Sequence, residues 1–227
     1  LNQNICAAAK TQSLPQKKTI YVIPVEGTID LGLSAFIKRS LKSAAKDNAD
    51  AVVLKINTFG GRIDAADEIV NSVSELSNIP TYAYITHSAW SAGALIAISC
   101  QKIIMLKGSS IGSAEPRVMG IVPGAQSTDE KIISALRAKF KATAELNNHS
   151  PNLAEAMVDK EIELSKIELN NELLILNQEE LKEKKNKYRK KNFKNEKIIC
   201  PKGKLLNLTA EEARQLKLSS KTLNSEE

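Results

Sequence analysis

Apolar positions along the chain alternate between two rhythms. Thr19–Val25 is a short β-rich run, closed by Glu26-Gly27-Thr28. From Leu31 to Lys46 the apolar residues Leu33, Phe36, Ile37, Leu41 and Ala44 recur at the spacing of one helix face. Ala51–Ile56 is again strand-like and ends on Asn57-Thr58-Phe59-Gly60-Gly61. Helical spacing returns over Ile63–Leu76, with Ile63, Ala66, Ile69, Val70, Val73 and Leu76 on the apolar side. Tyr82–Ile85 predicts a third strand, Ala92–Ser99 a short buried helix and Ile103–Leu106 a fourth strand. The first three strands centre near residues 22, 53 and 84, a repeat of 31. Repeated β-α units of that length place the chain in the α/β class.

Beyond Lys107 the rhythm changes. Residues 107–126 form a long loop rich in Gly, Ser and Pro that still carries Ile111, Val118, Met119, Ile121 and Val122. Loops of this length inside compact domains are often functional. Ser127-Thr128-Asp129-Glu130 has the capping-box pattern and predicts a helix to about Leu146, followed by a short helix over Leu153–Val158. From about Glu161 to Lys204 the chain turns to Asn, Glu and Lys, which reads as a solvated helical hairpin or a disordered insertion. Leu205–Leu208 and Thr209–Ala213 then predict a strand and a capped helix. The expected organisation is a leader or linker over 1–18, a core over 19–160, a basic insertion over 161–202, a strand and helix completing the core over 203–217, and a tail over 218–227.

Composition adds limits. A chain of 227 residues that is 42% hydrophobic and 26% charged is that of an ordinary globular protein and excludes a fully disordered one. Three cysteines about a hundred residues apart exclude a disulfide scaffold, and with two histidines they provide no zinc spacing. The net charge of +6 is local in origin. Residues 182–204 hold eleven Lys/Arg against Glu183 and Glu196, a local +9 that leaves the remainder at −3. With only Tyr188 and Phe193 as aromatics in that stretch, nucleic-acid binding is a minor reading. Such Lys/Glu/Asn-rich runs are usually solvated, and contact of residues 182–197 with an anionic membrane surface is the other candidate reading. Leu76–Gln101 is free of Asp, Glu, Lys and Arg and long enough to span a bilayer, but Pro80, His87 and many hydroxyl residues make it a strand, a turn and a buried helix. The chain opens on Leu1, and Ala7-Ala8-Ala9 could end a secretory signal or belong to a disordered leader.

Two strand ends carry candidate chemistry. Ser91, in His87-Ser88-Ala89-Trp90-Ser91-Ala92-Gly93, falls between a strand and a helix, where unpaired amides and a positive dipole end offer an oxyanion site. The same position also suits a plain N-cap. Phe59-Gly60-Gly61 ends the preceding strand, and glycines there can expose amide N–H groups. Ligands of open α/β sheets gather at such ends. A base for Ser91 is the open question. His87 points away, and His149, in the polar Asn147-Asn148-His149, reads as a solvent-exposed helix end. A lysine base must be neutral, which needs burial or positive surroundings. Lys131 meets that demand best, at a helix start beside Ile132, Ile133 and Leu136; it also reads as an ordinary surface lysine.

Together these residues resemble the NfeD family of membrane-associated serine proteases, relatives of ClpP and signal peptide peptidase A. The matching stretches are Ala51–Ala65 (AVVLKINTFGGRIDA), His87–Ile96 (HSAWSAGALI), Ser109–Ala114 (SSIGSA) and Gly203–Ala213 (GKLLNLTAEEA). The match covers residues 19–160 and 203–217. It implies a ClpP/crotonase-like α/β fold of stacked β-β-α units. It also implies a Ser-Lys dyad, which here is Ser91 and Lys131, and an oxyanion hole from Gly61 or Gly60 together with Ala92. No cofactor is implied. The sequence departs from the family in having Phe59 where proline is usual, which removes a φ restraint. Its basic stretch is long. The family's C-terminal membrane helices and small β-barrel are not in these residues, so a short form or a fragment is expected.

The expected activity is a serine endopeptidase acting on apolar segments of membrane-associated proteins. Phe59, Ile111, Met119 and Ile121 are the expected substrate contacts, and a stomatin-like membrane protein is a candidate partner. Ile111–Val122 could equally form a dimer surface, and a homodimer or higher oligomer is expected. Placement on the extracytoplasmic side is expected if a signal precedes Leu1. A crotonase-type acyl-CoA enzyme and a catalytically silent scaffold are the rival readings.

Overall fold

The computed structural model describes residues 17–76, 78–116, 130–188 and 192–225. Within them β1 (Ile20–Ile29), β2 (Ala51–Gly61), β3 (Thr81–Trp90) and β4 (Lys102–Leu106) lie side by side and parallel. The connections are α1 (Leu31–Lys46), α2 (Ile63–Ser74) and α3 (Ala92–Ile98). Helix α1 starts where the Asp30 carboxylate accepts the Leu33 amide, 2.8 Å away. Ser34, Ile37, Leu41 and Ala44, on one helical face, are buried. Along β2, Val52, Leu54, Ile56 and Thr58 are buried and alternate with half-buried residues, as in a central parallel strand covered on both faces.

Both β2 and β3 run past their apolar segments. The polar ends pair with each other, Thr58 opposite Ala89, so the strands continue to Gly61 and Trp90. Beside β3 the neighbour then changes. Its first half pairs with β4, while Ser88, Ala89 and Trp90 pair with Ser110, Ile111 and Gly112 of β5 (Ser110–Gly112). Strand β5 pairs antiparallel with β9 (Asn207–Thr209), and β10 (Lys221–Leu223) extends the main sheet beyond β4. The sheet therefore branches at β3, as the expected fold requires and a flat doubly wound sheet does not. The strand β10, expected as tail, is too short and polar to stand out in the sequence.

Helix α4 (Glu130–Leu146) buries Leu136, Phe140, Thr143 and Ala144, packing against α3 and α5 (Pro151–Val158). The Ser127–Asp129 part of the expected capping box lies outside the described residues. The segment expected to be a helical hairpin or disordered is neither. Strands β6 (Leu164–Leu169), β7 (Glu172–Asn177) and β8 (Phe193–Cys200) form a separate antiparallel sheet in the order β7-β6-β8. One helix, α6 (Gln178–Lys187), carries Lys182, Lys184, Lys185 and Lys187 and buries no residue. Their apolar anchors are Leu164, Ile167 and Leu169 of β6 and Leu176 of β7, interrupted by Glu and Lys and by irregular register between β6 and β8. Helix α7 (Ala210–Gln215) begins at Thr209 with a complete capping box, as its sequence predicts.

Candidate active site

The register of β2 against β3 decides the site. Because Thr58 lies opposite Ala89, the two strands end together, and Gly60-Gly61 stand beside Ser91. A Cβ on Gly60 would lie 2.6 Å from Ser91 Cβ and 3.1 Å from Ser91 Oγ, and Gly60 has φ +109°. A Cβ on Gly61 would fall 2.1 Å from the Ile29 carbonyl oxygen of β1. Neither position can carry a side chain without moving backbone.

Ser91 has φ 53° and ψ −121°, a conformation that non-glycine residues rarely hold. Its amide donates to the Gly112 carbonyl at 3.0 Å, which fixes the turn to β5. It occupies the N-cap position of α3, all of whose seven residues are buried, yet its side chain makes no capping hydrogen bond. Among the described residues its half-buried hydroxyl is bonded to nothing. The plain N-cap reading therefore fails: the strained turn presents the hydroxyl to the cleft instead of to the helix.

The amide donors around it sort themselves. Gly60 N–H is engaged by Thr58 Oγ1 at 3.0 Å, and the Thr58 hydroxyl in turn donates to the Gly27 carbonyl. Gly61 differs, because Arg62 N–H bonds to the Ile29 carbonyl at 2.8 Å. In a parallel ladder that pairing turns the Gly61 amide to the opposite side, toward β3. Ala92 N–H is a first-turn amide of α3 and has no partner within its helix. Thr58, not singled out by its sequence, organises this end of the site. It also fills the space in front of Gly93, where a Cβ would meet Thr58 Cγ2 at 2.5 Å.

A cleft of about 1060 Å³ opens at Ser91. Phe59, Gly61 and Trp90 border it on the strand side, Ala92 and Leu95 on the α3 side, and Leu136 and Phe140 of α4 close its apolar wall. Arg62 and Asp64 form a two-pronged ion pair at the rim, 3.0 and 2.6 Å, and the guanidinium holds the Asp64 carboxyl below its usual range. Ser113 to Pro116 complete another edge.

Not all expected site residues converge. Lys131 lies on the first turn of α4 and is exposed. At about 100° per residue it stands roughly 140° around the helix from Leu136 and about 180° from Phe140, the two α4 residues that border the cleft. Ile111 is corrected: it is fully buried between β3 and β9, a core residue with no access to substrate. Its apolar character came from sheet packing, which a loop reading could not anticipate. Met119 and Ile121 lie outside the described residues. His149 is also corrected, since it is half-buried with Nε2 2.8 Å from the Cys100 carbonyl, and burial lowers its pKa. His87 is exposed, and neither histidine borders the cleft. Trp90, Leu136 and Phe140 border the cleft without having been singled out as site residues; Trp90, next to Ser91, had a signal in its position.

Comparison with known proteins agrees with the fold. The membrane protein NfeD1b of Bacillus subtilis is 38% identical over 153 residues, 67% of this chain and 34% of its own length. The membrane-bound protease PH1510 of Pyrococcus horikoshii is 30% identical over 154 residues, 66% of this chain and 34% of its own length. The chain thus spans about a third of the length of these relatives. Among solved structures, a serine-to-alanine mutant of the 1510-N membrane-bound stomatin-specific protease superposes with a TM-score of 0.67 at 23% identity, covering 93% of this chain and 83% of the other. ClpP1 from Listeria monocytogenes gives 0.56 at 14% identity, covering 90% and 91%. Both share the fold. The family model of the NfeD1b N-terminal domain matches residues 19–199, from the entry to β1 through the second sheet, and the chain belongs to that family.

Proposed function

We propose that this chain is a serine peptidase domain acting on apolar peptide. The observation that carries the reading is Ser91 itself, strained at φ 53° with its hydroxyl unspent on the helix it heads. Strain of this kind costs about 1–3 kcal/mol and persists where the surrounding structure imposes it. In the proposed reaction Ser91 Oγ attacks a peptide carbonyl carbon and gives its proton to neutral Lys131 Nζ. The Ala92 and Gly61 amides take the developing oxyanion, each such donor contributing about 10²–10³ in rate. Collapse expels the amine, which takes the proton from Lys131. Water activated by the same lysine then hydrolyses the acyl-enzyme. Gly60 keeps a steric part here, and a donor role for it would require release of its bond to Thr58.

The dyad requires the first turn of α4 to rotate Lys131 inward when peptide occupies the cleft, since apo geometry is often looser than that of the working complex. The apolar walls formed by Leu95, Leu136 and Phe140 support an apolar substrate. A membrane-protein substrate of the stomatin type, membrane association on the extracytoplasmic side, self-association and contact of 182–197 with anionic lipid complete the proposal. No helix among the described residues is long and apolar enough to cross a membrane.

The test is cleavage of an apolar peptide library by wild type, Ser91→Ala and Lys131→Ala. Both substitutions should abolish cleavage. Urea unfolding of each variant separates loss of cleavage from loss of fold. Full activity in Lys131→Ala would assign the base elsewhere, and full activity in Ser91→Ala would remove the serine mechanism altogether.

A further inference from the structure

Phe59 is 74% exposed, the most exposed of the large apolar side chains among the described residues. Its ring packs against Trp90, with centroids 5.1 Å apart and planes tilted by 47°. Trp90 is held from behind: its indole N–H donates to Ser110 Oγ at 2.8 Å, and its backbone pairs with Gly112 of β5. Both rings border the same cleft as Ser91, and Trp90 is its immediate neighbour. They stand on the strand side of Ser91. The deeper apolar wall of Leu95, Leu136 and Phe140 stands on the helix side.

We infer that Phe59 and Trp90 form a distinct aromatic subsite that takes a phenylalanine-like side chain of the peptide next to the scissile bond. The inference deepens the peptidase reading and rests on it for the meaning of the cleft. A tilted pair leaves an open angle into which a third ring fits edge to face, the arrangement aromatic quadrupoles prefer. The indole bond to Ser110 keeps one wall fixed before substrate arrives, so little ordering is needed on binding. A peptide crossing Ser91 would place one side chain between the rings and another against the α3–α4 wall.

Trp90 is the chain's single tryptophan, so its fluorescence reports occupancy of the subsite directly. Short blocked peptides, with one Phe walked through an alanine–valine background, are titrated against the Ser91→Ala protein. The expected result is that one Phe position moves the Trp90 emission and lowers Kd about tenfold relative to alanine there, a difference of about 1.4 kcal/mol. Added to Ser91→Ala, Phe59→Tyr should retain that preference and Phe59→Ala should erase it. Equal affinity at every Phe position, an unmoved Trp90 emission, or a preference that survives Phe59→Ala would each overturn the subsite. Cleavage of the same peptides by wild type is read separately. Discrimination in binding without any cleavage would sink the peptidase reading alone, and cleavage without aromatic preference would sink the subsite alone.

Discussion

Replacing Gly60 by alanine probes the packing on which the whole site rests. Two costs add. The residue sits at φ +109°, where a Cβ costs roughly 1–2 kcal/mol for an L-residue. The new methyl would meet Ser91 Cβ at 2.6 Å and the Trp90 carbonyl oxygen at 3.2 Å, and overpacking of this kind costs typically about 1–3 kcal/mol. The sum, about 2–5 kcal/mol, is large against the ~5–15 kcal/mol that holds a domain together, but it leaves a folded majority. At about 2–4 °C per kcal/mol for a chain of this size, Tm should fall by roughly 4–20 °C. Urea unfolding followed by far-ultraviolet circular dichroism measures the stability, with Trp90 fluorescence as a local probe. Peptide cleavage, normalised to the folded fraction, should fall further than stability explains, because the neighbour that must yield is the proposed nucleophile. A Gly60→Ala protein with the wild-type midpoint and undiminished cleavage would refute the contact between Gly60 and Ser91.

Three further outcomes are expected. His149 is neutral-favouring in the fold, its pKa lowered from 6.5 chiefly by burial. The unfolded chain therefore binds the extra proton first, so the His149 contribution should be intact above 6.5 and be lost as pH falls below it, and His149→Gln should flatten that part of the urea-midpoint profile. Asp159 is buried and bonded to Arg137 of α4 while also accepting the Glu161 amide at 2.9 Å; Asp159→Asn should cost about 1.5–3 kcal/mol in the same assay, and a loss under half a kcal/mol would show that the pair does not anchor α4. The Cys100 thiol is fully buried and pushed up to about 12. Alkylation at mildly basic pH, read by peptide mass spectrometry, should leave it unlabelled until the protein unfolds, and rapid labelling of the native protein would contradict its packing.

The β-α rhythm through residue 106 was legible because each unit buries one face of a helix on an apolar strand, and burial writes the periodicity directly. Helix α1 could be read from its apolar spacing, and α7 together with its cap. The small sheet of β6, β7 and β8 was not legible. It is wet on one side, so Glu, Lys and Asn interrupt its alternation and imitate a solvated helix. The strand ends at Thr58 and at Thr86–Trp90 were also missed, since they are held by each other and by β5, partners that no local pattern names. Ile111 and His149 misled for the same reason in reverse: their neighbours, β9 for one and the Cys100 carbonyl for the other, are distant in the chain.

The sequence alone determined the α/β class, the two strand ends that bear Gly60-Gly61 and Ser91, and the family that such stretches resemble. Local propensity and short-range hydrophobic spacing suffice for that. Tertiary structure decided what those residues can do. The parallel register that sets Thr58 against Ala89 brings the glycines to the serine. The pairing with β5 fixes Ser91 where its φ is strained, and the Thr58 hydroxyl engages Gly60 while the Gly61 amide turns toward β3. The packing of α4 puts Leu136 and Phe140 on the wall of the cleft that Ser91 borders, and leaves Lys131 exposed on its first turn. The pairings of Thr58 with Ala89 and of Ser91 with Gly112 join segments about 20–30 residues apart, and only the packed sheet brings them within reach of one another.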